Sequence, residues 1–289
     1  MLNYPKSAID FSSVLACTRN MKKIRLPNGK KIACLDRLTA LYCYSEIYND
    51  NDYLRHGIHI HNGDVVFDIG ANIGHFTRYV AEHYEDLTIY AFEPVPPIFE
   101  ALRENTRGLR ADVHIFQFGL AEKAGKVDFL YYPRVSADSA MVPVDWPRKR
   151  SMMLEHYPEY WNSLRDRLIP RFLRSRYLDL IHSIMYKPRK LACRLAPLSE
   201  FIRKYDVTRI DLIKIDAENA ESRVLAGIDD EHWPLIRQIS MEVHEHISGG
   251  EGLLDRLRDL LESKGFTVQV DRNSTFSNLG VHMLYAARS

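Results

Sequence analysis

Apolar and polar positions alternate in blocks along this chain, and from residue 64 onward short buried runs trade places with helical stripes. Val65-Val66-Phe67 is the kind of apolar run that makes a strand buried on both faces, and residues 87–92 form a second. Between them Phe76, Tyr79, Val80 and His83 recur at helical spacing. Pro96 and Pro97 open a helix carrying Ile98, Phe99 and Leu102, which ends near Gly108. Residues 112–118 read as a third strand closed by Gly119, residues 210–216 as a fourth and residues 236–244 as a fifth. A helix is expected over residues 218–226. Leu253, Leu254, Leu257, Leu260 and Leu261 stripe another, with Gly265 as its cap. Residues 266–270 and 281–287 then predict two strands whose short connection permits only an antiparallel pair. Such alternation calls for an α/β fold, a mostly parallel sheet covered on both faces and finished by a hairpin.

Two segments stand outside that alternation. Residues 1–60 form an N-terminal extension, expected to be helical and hairpin-like, with Tyr42, Tyr44, Tyr48 and Tyr53. Residues 61–289 form the main domain, with an extra strand expected over 126–132. Residues 133–195 interrupt it with an insertion expected to be helical. That insertion is basic and aromatic: Arg148-Lys149-Arg150, Tyr157, Tyr160, Trp161, Arg165, Arg167, Arg171, Arg174, Arg176, Lys187, Arg189 and Lys190. A lid over a substrate and a plain solvated cover or homodimer contact are both open readings of it. The net charge of +1 excludes a globally basic nucleic-acid binder. Cys17, Cys34, Cys43 and Cys193 lack the spacing of a zinc site or a disulfide framework. No apolar run is long enough to cross a bilayer, and the first residues lack a secretory pattern, so a cytoplasmic protein without membrane partners is expected.

The chemistry concentrates in Asp68-Ile-Gly70-Ala71-Asn72-Ile-Gly74, a glycine-bearing turn between a buried strand and a helix. Glycines let the backbone approach a ligand, because no Cβ intervenes. The turn lacks the last glycine of a dinucleotide fingerprint and the lysine of a phosphate-binding loop. What remains, D-x-G-x-N-x-G, is the pattern of Rossmann-like S-adenosylmethionine-dependent methyltransferases. Glu93 ends the second strand about twenty residues further on, where an acid can accept from both hydroxyls of a ribose. Asp68, Gly70, Ala71, Asn72, Gly74, Glu93, Gly119 and Asp216 are the expected cofactor-binding positions.

Three blocks, Asp68 to Gly74, Ala91-Phe92-Glu93-Pro94, and Leu212-Ile213-Lys214-Ile215-Asp216-Ala217-Glu218 with Glu221, Val224, Leu225 and Gly227, resemble the FkbM family of methyltransferases in content and order. The resemblance runs from about residue 53 to the C-terminus and is weakest in the insertion. It implies a class I methyltransferase fold, a seven-stranded sheet ending in an antiparallel hairpin, with S-adenosyl-L-methionine as cofactor. Most members carry glycine where this chain has Asn219. That departure, with Met241-Glu242-Val243-His244, is similar to a branch associated with polyketide and nonribosomal-peptide assembly. There the acceptor is a hydroxyl of a natural-product intermediate, in some cases presented by a carrier protein.

A hydroxyl is a poor nucleophile until its proton is removed, so a base is sought at the carboxyl ends of the later strands. Asp216, Glu218, Glu242 and His244 stand there. Glu242 and His244 are two apart on one strand and share a face. His244 is the expected general base, with Glu242 or Glu218 orienting its ring, and His246 is a competitor in the following loop. Asp216 and Glu218 raise a magnesium question, but the sequence places no clear third ligand, so no metal is expected. The rivals are a nucleic-acid methyltransferase and a non-catalytic cofactor-binding scaffold. Val95-Pro96-Pro97-Ile98-Phe99 follows the wrong strand for a base-methylating motif, and intact Asp68, Gly70, Gly74 and Glu93 argue against a scaffold.

Overall fold

A computed structural model describes residues 21–155, 168–245, 250–271 and 280–288. Tyr157, Tyr160, Trp161, Arg165, Arg167, His246 and Cys17 lie outside the described residues. The chain begins with a hairpin, β1 (Lys22–Arg25) against β2 (Lys31–Cys34), then helix α1 (Arg37–Tyr44). Asp36 caps α1 by accepting from the Thr39 amide at 2.7 Å, satisfying one of the orphan donors of a helix start. Without a break α1 widens into a π-helix, Ser45–Asp50, which stops at Asn51 in the left-handed region at φ 52°. Leu26, Ile32, Ala40 and Tyr44 from this segment pack against Ile73, Val95 and Ile98 of the main domain.

The main sheet has seven strands: β3 (Val65–Ile69), β4 (Thr88–Phe92), β5 (Asp112–Phe116), β9 (Leu212–Ile215), β10 (Gln238–His244), β11 (Thr267–Asp271) and β12 (Val281–Ala287). Their order is β5-β4-β3-β9-β10-β12-β11, parallel except for β12, which is antiparallel to both neighbours. The expected hairpin is present, but its second strand lies inside the sheet and its first forms the edge. Burial explains the placement: Met283, Leu284, Tyr285 and Ala286 are fully covered, whereas β11 alternates with exposed Thr267 and Gln269. Helices α2 (His75–His83) and α3 (Pro96–Thr106) connect the first three strands. The strand order reverses between β3 and β9, and ligands of open α/β sheets enter at the carboxyl ends of strands at such a point.

A second, three-stranded sheet is built from β6 (Gly119–Leu120), β7 (Gly125–Tyr131) and β8 (Arg189–Ala196). β7 and β8 pair antiparallel from Gly125 with Leu195 to Tyr131 with Arg189. The insertion is therefore not helical throughout; from Arg189 to its end it belongs to strand β8, and the β7–β8 ribbon is a stem. Helices α4 (Trp146–Glu155) and α5 (Arg171–Met185) project from it and pack on each other around the buried Leu178. Shorter helical pieces follow in α6 (Leu198–Lys204), α7 (Glu221–Ala226) and two 3-10 turns, Ser136–Asp138 and Asp230–Leu235; α8 (Leu253–Ser263) carries the leucine stripe, with Leu254, Leu257 and Leu261 buried.

Beneath the cavity one cation ties three elements together. Lys214, on the central strand β9, makes an ion pair with Asp68 at 3.2 Å and donates to the Gly70 carbonyl at 2.9 Å. Asp68 is fully buried at the end of β3 and also accepts from the Thr77 amide and hydroxyl, 3.2 and 2.6 Å away, at the start of α2. Burial alone would lower the pKa of Lys214, but the charges of Asp68 and Asp216 outweigh it and hold the ammonium protonated. Removing the cation leaves Asp68 buried without its counter-charge. Lys214→Met is expected to lower stability by about 3–5 kcal/mol in denaturant unfolding, and the double variant with Asp68→Asn to recover most of it. An unchanged midpoint in the single variant would show that the pair is dispensable.

Candidate active site

The glycine turn explains its own sequence. Gly70, Asn72 and Gly74 all have positive φ, at 73°, 51° and 90°, and asparagine is the side-chain-bearing residue that best tolerates that region. A Cβ on Gly70 would stand 1.7 Å from the Asp216 carbonyl oxygen, so the turn touches the end of β9 with no room to spare. The expected cofactor residues then divide. Gly70, Asn72, Glu93, Gly119 and Asp216 line a cavity of ≈ 290 Å³ at the carboxyl ends of the strands. Asp68, Ala71 and Gly74 do not line it. Asp68 acts from below through Lys214 and Thr77, Ala71 is buried, and Gly74 lies against Leu102 of α3, where a Cβ would come within 2.8 Å.

Glu93 is buried at the end of β4, and one of its carboxylate oxygens accepts from the Val95 amide at 2.8 Å. Burial pushes its pKa up to about 8, against the pull of the Val95 and Asn72 amides and of Lys214. A buried acid with lone pairs to spare suits a diol that brings two donors.

Asp216, Glu218, Glu242 and His244 do converge on the cavity. The orienting partner of His244, however, is Glu221, at the start of α7: its carboxylate lies 2.6 Å from the imidazole Nδ1. Glu218 and Glu242 sit farther off, 3.6 and 3.8 Å from Nε2. Burial would lower the His244 pKa, but Glu218, Glu221 and Glu242 together hold it well above its ordinary value. Burial raises both neighbouring carboxyls, Glu242 to about 7 and Glu218 well above the usual range. Positive φ at Glu218 (38°) and Asn219 (72°) turns the chain sharply between β9 and α7, so Glu218 and Glu221 reach His244 from the same connection. Such backbone is rare for non-glycine residues and concentrates at functional sites. Asp216, Glu218 and His244 also offer one metal-ligand atom each within 4.8 Å, His244 supplying the third member that the sequence did not place.

The far wall is different in kind. Phe129, Met141, Met153, Ile181 and Met185 line it, with Trp146, His182 and Tyr186 as a stack of rings: centroids are 4.2 Å apart for the first pair and 4.8 Å for the second. Lys149 joins the stem to the helices through Asp138 at 2.9 Å and the Tyr186 hydroxyl at 3.2 Å. The basic run Arg148-Lys149-Arg150 is engaged by acids: Arg148 with Glu251, Lys149 with Asp138 and Arg150 with Asp179.

A doubly covered sheet with this strand order, a glycine turn at its switch point and an acid on the second strand define a Rossmann-like class I methyltransferase. A family model described as the methyltransferase FkbM domain matches residues 191–268. The 31-O-demethyl-FK506 methyltransferase FkbM of Streptomyces tacrolimicus is 33% identical over 93% of this chain and 98% of its own length. The AMB antimetabolite synthetase AmbE of Pseudomonas aeruginosa is 33% identical over 92% of this chain, which spans 12% of that longer protein. Methyltransferase sdnD of Sordaria araneosa is 29% identical over 82% of this chain and 86% of its own. The chain belongs to the FkbM methyltransferase family, and its methyl donor is S-adenosylmethionine. The residues fit that donor: buried Glu93 has lone pairs to offer a diol, Gly70 and Asn72 of the turn border the cavity, and Asp216, Glu218 and Glu242 face it with carboxylates that suit a cationic ligand.

Because Glu93 is neutral in the empty cavity below about pH 8, and a diol favours its ionised form, cofactor binding should release its proton. Affinity measured by calorimetry is expected to tighten as pH rises towards about 8, and Glu93→Gln to bind weakly with that contribution lost. Identical pH dependence in the two proteins would remove Glu93 from the ribose site.

Proposed function

We propose that this enzyme transfers the methyl group of S-adenosylmethionine to a hydroxyl of a natural-product intermediate, with His244 as general base. The observation that carries the reading is the short Nδ1 contact between His244 and Glu221. A carboxylate at Nδ1 fixes that nitrogen as donor and leaves Nε2 as the basic atom, the logic by which triads activate a hydroxyl. Glu218 and Glu242 favour the imidazolium formed as the proton leaves the acceptor. Before turnover the same carboxylates keep the ring protonated, so it must first give up a proton. A cationic donor entering the cavity lowers the imidazole pKa and assists that loss. The donor supplies an electrophilic methyl group; the chain's own residues align the acceptor with it and take the proton.

A hydroxyl acceptor is supported by the FkbM relative, whose name places its methylation on an oxygen. We propose metal-free catalysis, because both imidazole nitrogens are assigned: Nδ1 is held by Glu221 and Nε2 takes the acceptor's proton. His244→Ala is expected to cut turnover about 10²–10⁴-fold with cofactor affinity kept. The wild-type rate should rise with pH through a midpoint above about 6.5 and be unaffected by excess EDTA. Unchanged turnover in the variant would sink the base assignment, and loss with EDTA the metal-free reading.

The apolar, ring-lined wall suits a polyketide, peptide or sugar-containing acceptor with a largely apolar body rather than a nucleic acid. Presentation by a carrier protein is supported by the likeness to a synthetase. The docking face we assign is the outer side of α5, where Phe172 is 80% and Leu180 58% exposed beside exposed Arg171 and Arg176. Reversing both arginines to glutamate is expected to raise KM about tenfold for a carrier-tethered acceptor and to leave the free acceptor unaffected. Equal effects on the two would dismiss docking.

A further inference from the structure

The N-terminal segment does more than cover the domain, because it supplies part of the cavity wall. Tyr42, Cys43 and Glu46 line it from the junction of α1 with the π-helix. π-Helical turns are scarce and often mark functional positions. Here the wide turn sets Glu46 on the cavity while its neighbour Ile47 is buried in the core beside Phe76.

The side chains near Glu46 have prior engagements. Asp216 accepts from the Tyr53 hydroxyl at 3.1 Å and lies 3.5 Å from the Lys214 ammonium. Glu242 shares the same phenol at 3.3 Å and faces His244 with its other oxygen. Lys214 is committed to Asp68 and to the Gly70 carbonyl. The carboxylate of Glu46 has one hydrogen bond among the described residues, from the Tyr42 hydroxyl at 2.5 Å. It is thus an acid on the cavity surface with acceptor capacity left. Burial and the charge of Glu242 raise its pKa well above the ordinary range, the condition of a carboxylate lacking a cation.

S-adenosylmethionine brings two positive charges, at the sulfonium and at the α-ammonium of its amino-acid end. The adenosine end has its acid in Glu93. An ammonium with three donors asks for a carboxylate that is not already saturated. We propose that Glu46 binds the α-ammonium of the methyl donor, so that the N-terminal segment completes the cofactor site. Tyr42 positions the carboxylate from behind, and Tyr53 holds Asp216 and Glu242 to the same wall.

The test is binding rather than turnover. Glu46→Gln is titrated with S-adenosylhomocysteine, which keeps the α-ammonium, and with 5′-methylthioadenosine, which lacks the amino-acid end. Loss of a charge-assisted contact should weaken the first ligand by about tenfold or more and change the second by less than about twofold. Equal weakening of both ligands, or none for S-adenosylhomocysteine, overturns the proposal. So does unchanged S-adenosylhomocysteine affinity with a raised KM for an amine-bearing acceptor, which would assign the carboxylate to the acceptor instead. Should Glu46→Gln fail to fold, Glu46→Asp keeps the charge and withdraws it by one methylene, and the same selective loss is required of it.

Discussion

The buried ammonium of Lys214 is the interaction on which the rest of this site depends. It sits on the central strand at the point where the sheet reverses, and it satisfies the acid that ends β3 and the carbonyl of the first glycine of the turn. Two buried charges are costly unless paired and hydrogen-bonded, and here Thr77 supplies further donors to Asp68. The arrangement locks strand, turn and helix start to one another. The first carbonyl of the turn and the acid beneath it are thereby fixed by one cation.

Above that clamp the charge balance runs the other way. Glu46, Glu93, Asp216, Glu218 and Glu242 all border the cavity, and the cations near them are already committed. Burial, helped by mutual repulsion, raises several of these acids, a cost that a counter-charge would offset. A cationic ligand relieves it, whereas its product, having lost the sulfonium charge, relieves it less. Electrostatics of that sign favour exchange of spent cofactor for fresh.

Much of the sheet was legible because buried strands are local runs and β10 has period two, which set Glu242 and His244 on one face. The inner position of β12 was not legible, since it is decided by packing between strands rather than along one. Leu191, Cys193 and Leu195 alternate as a strand should, but Arg189, Lys190 and Arg194 among them resemble a basic loop, and so β8 was hidden. In the site, Glu221 escaped because its meeting with His244 depends on the left-handed turn at Glu218 and Asn219. Tyr53 reaches Asp216 across 163 positions of chain, beyond any local pattern. Asp68 was recognised as part of the motif, but a pattern cannot tell whether a residue faces the ligand or the scaffold.

The β7–β8 stem gives the apolar wall of the cavity a root of its own. Helices α4 and α5, which carry the apolar wall, are rooted in the small sheet, while the clamp, the glycine turn and the carboxylates belong to the large one. Substitutions on the packed faces of α4 and α5 therefore reshape that wall first. The wall is thus open to redesign from the tip of one ribbon, with the Lys214 clamp left as it stands.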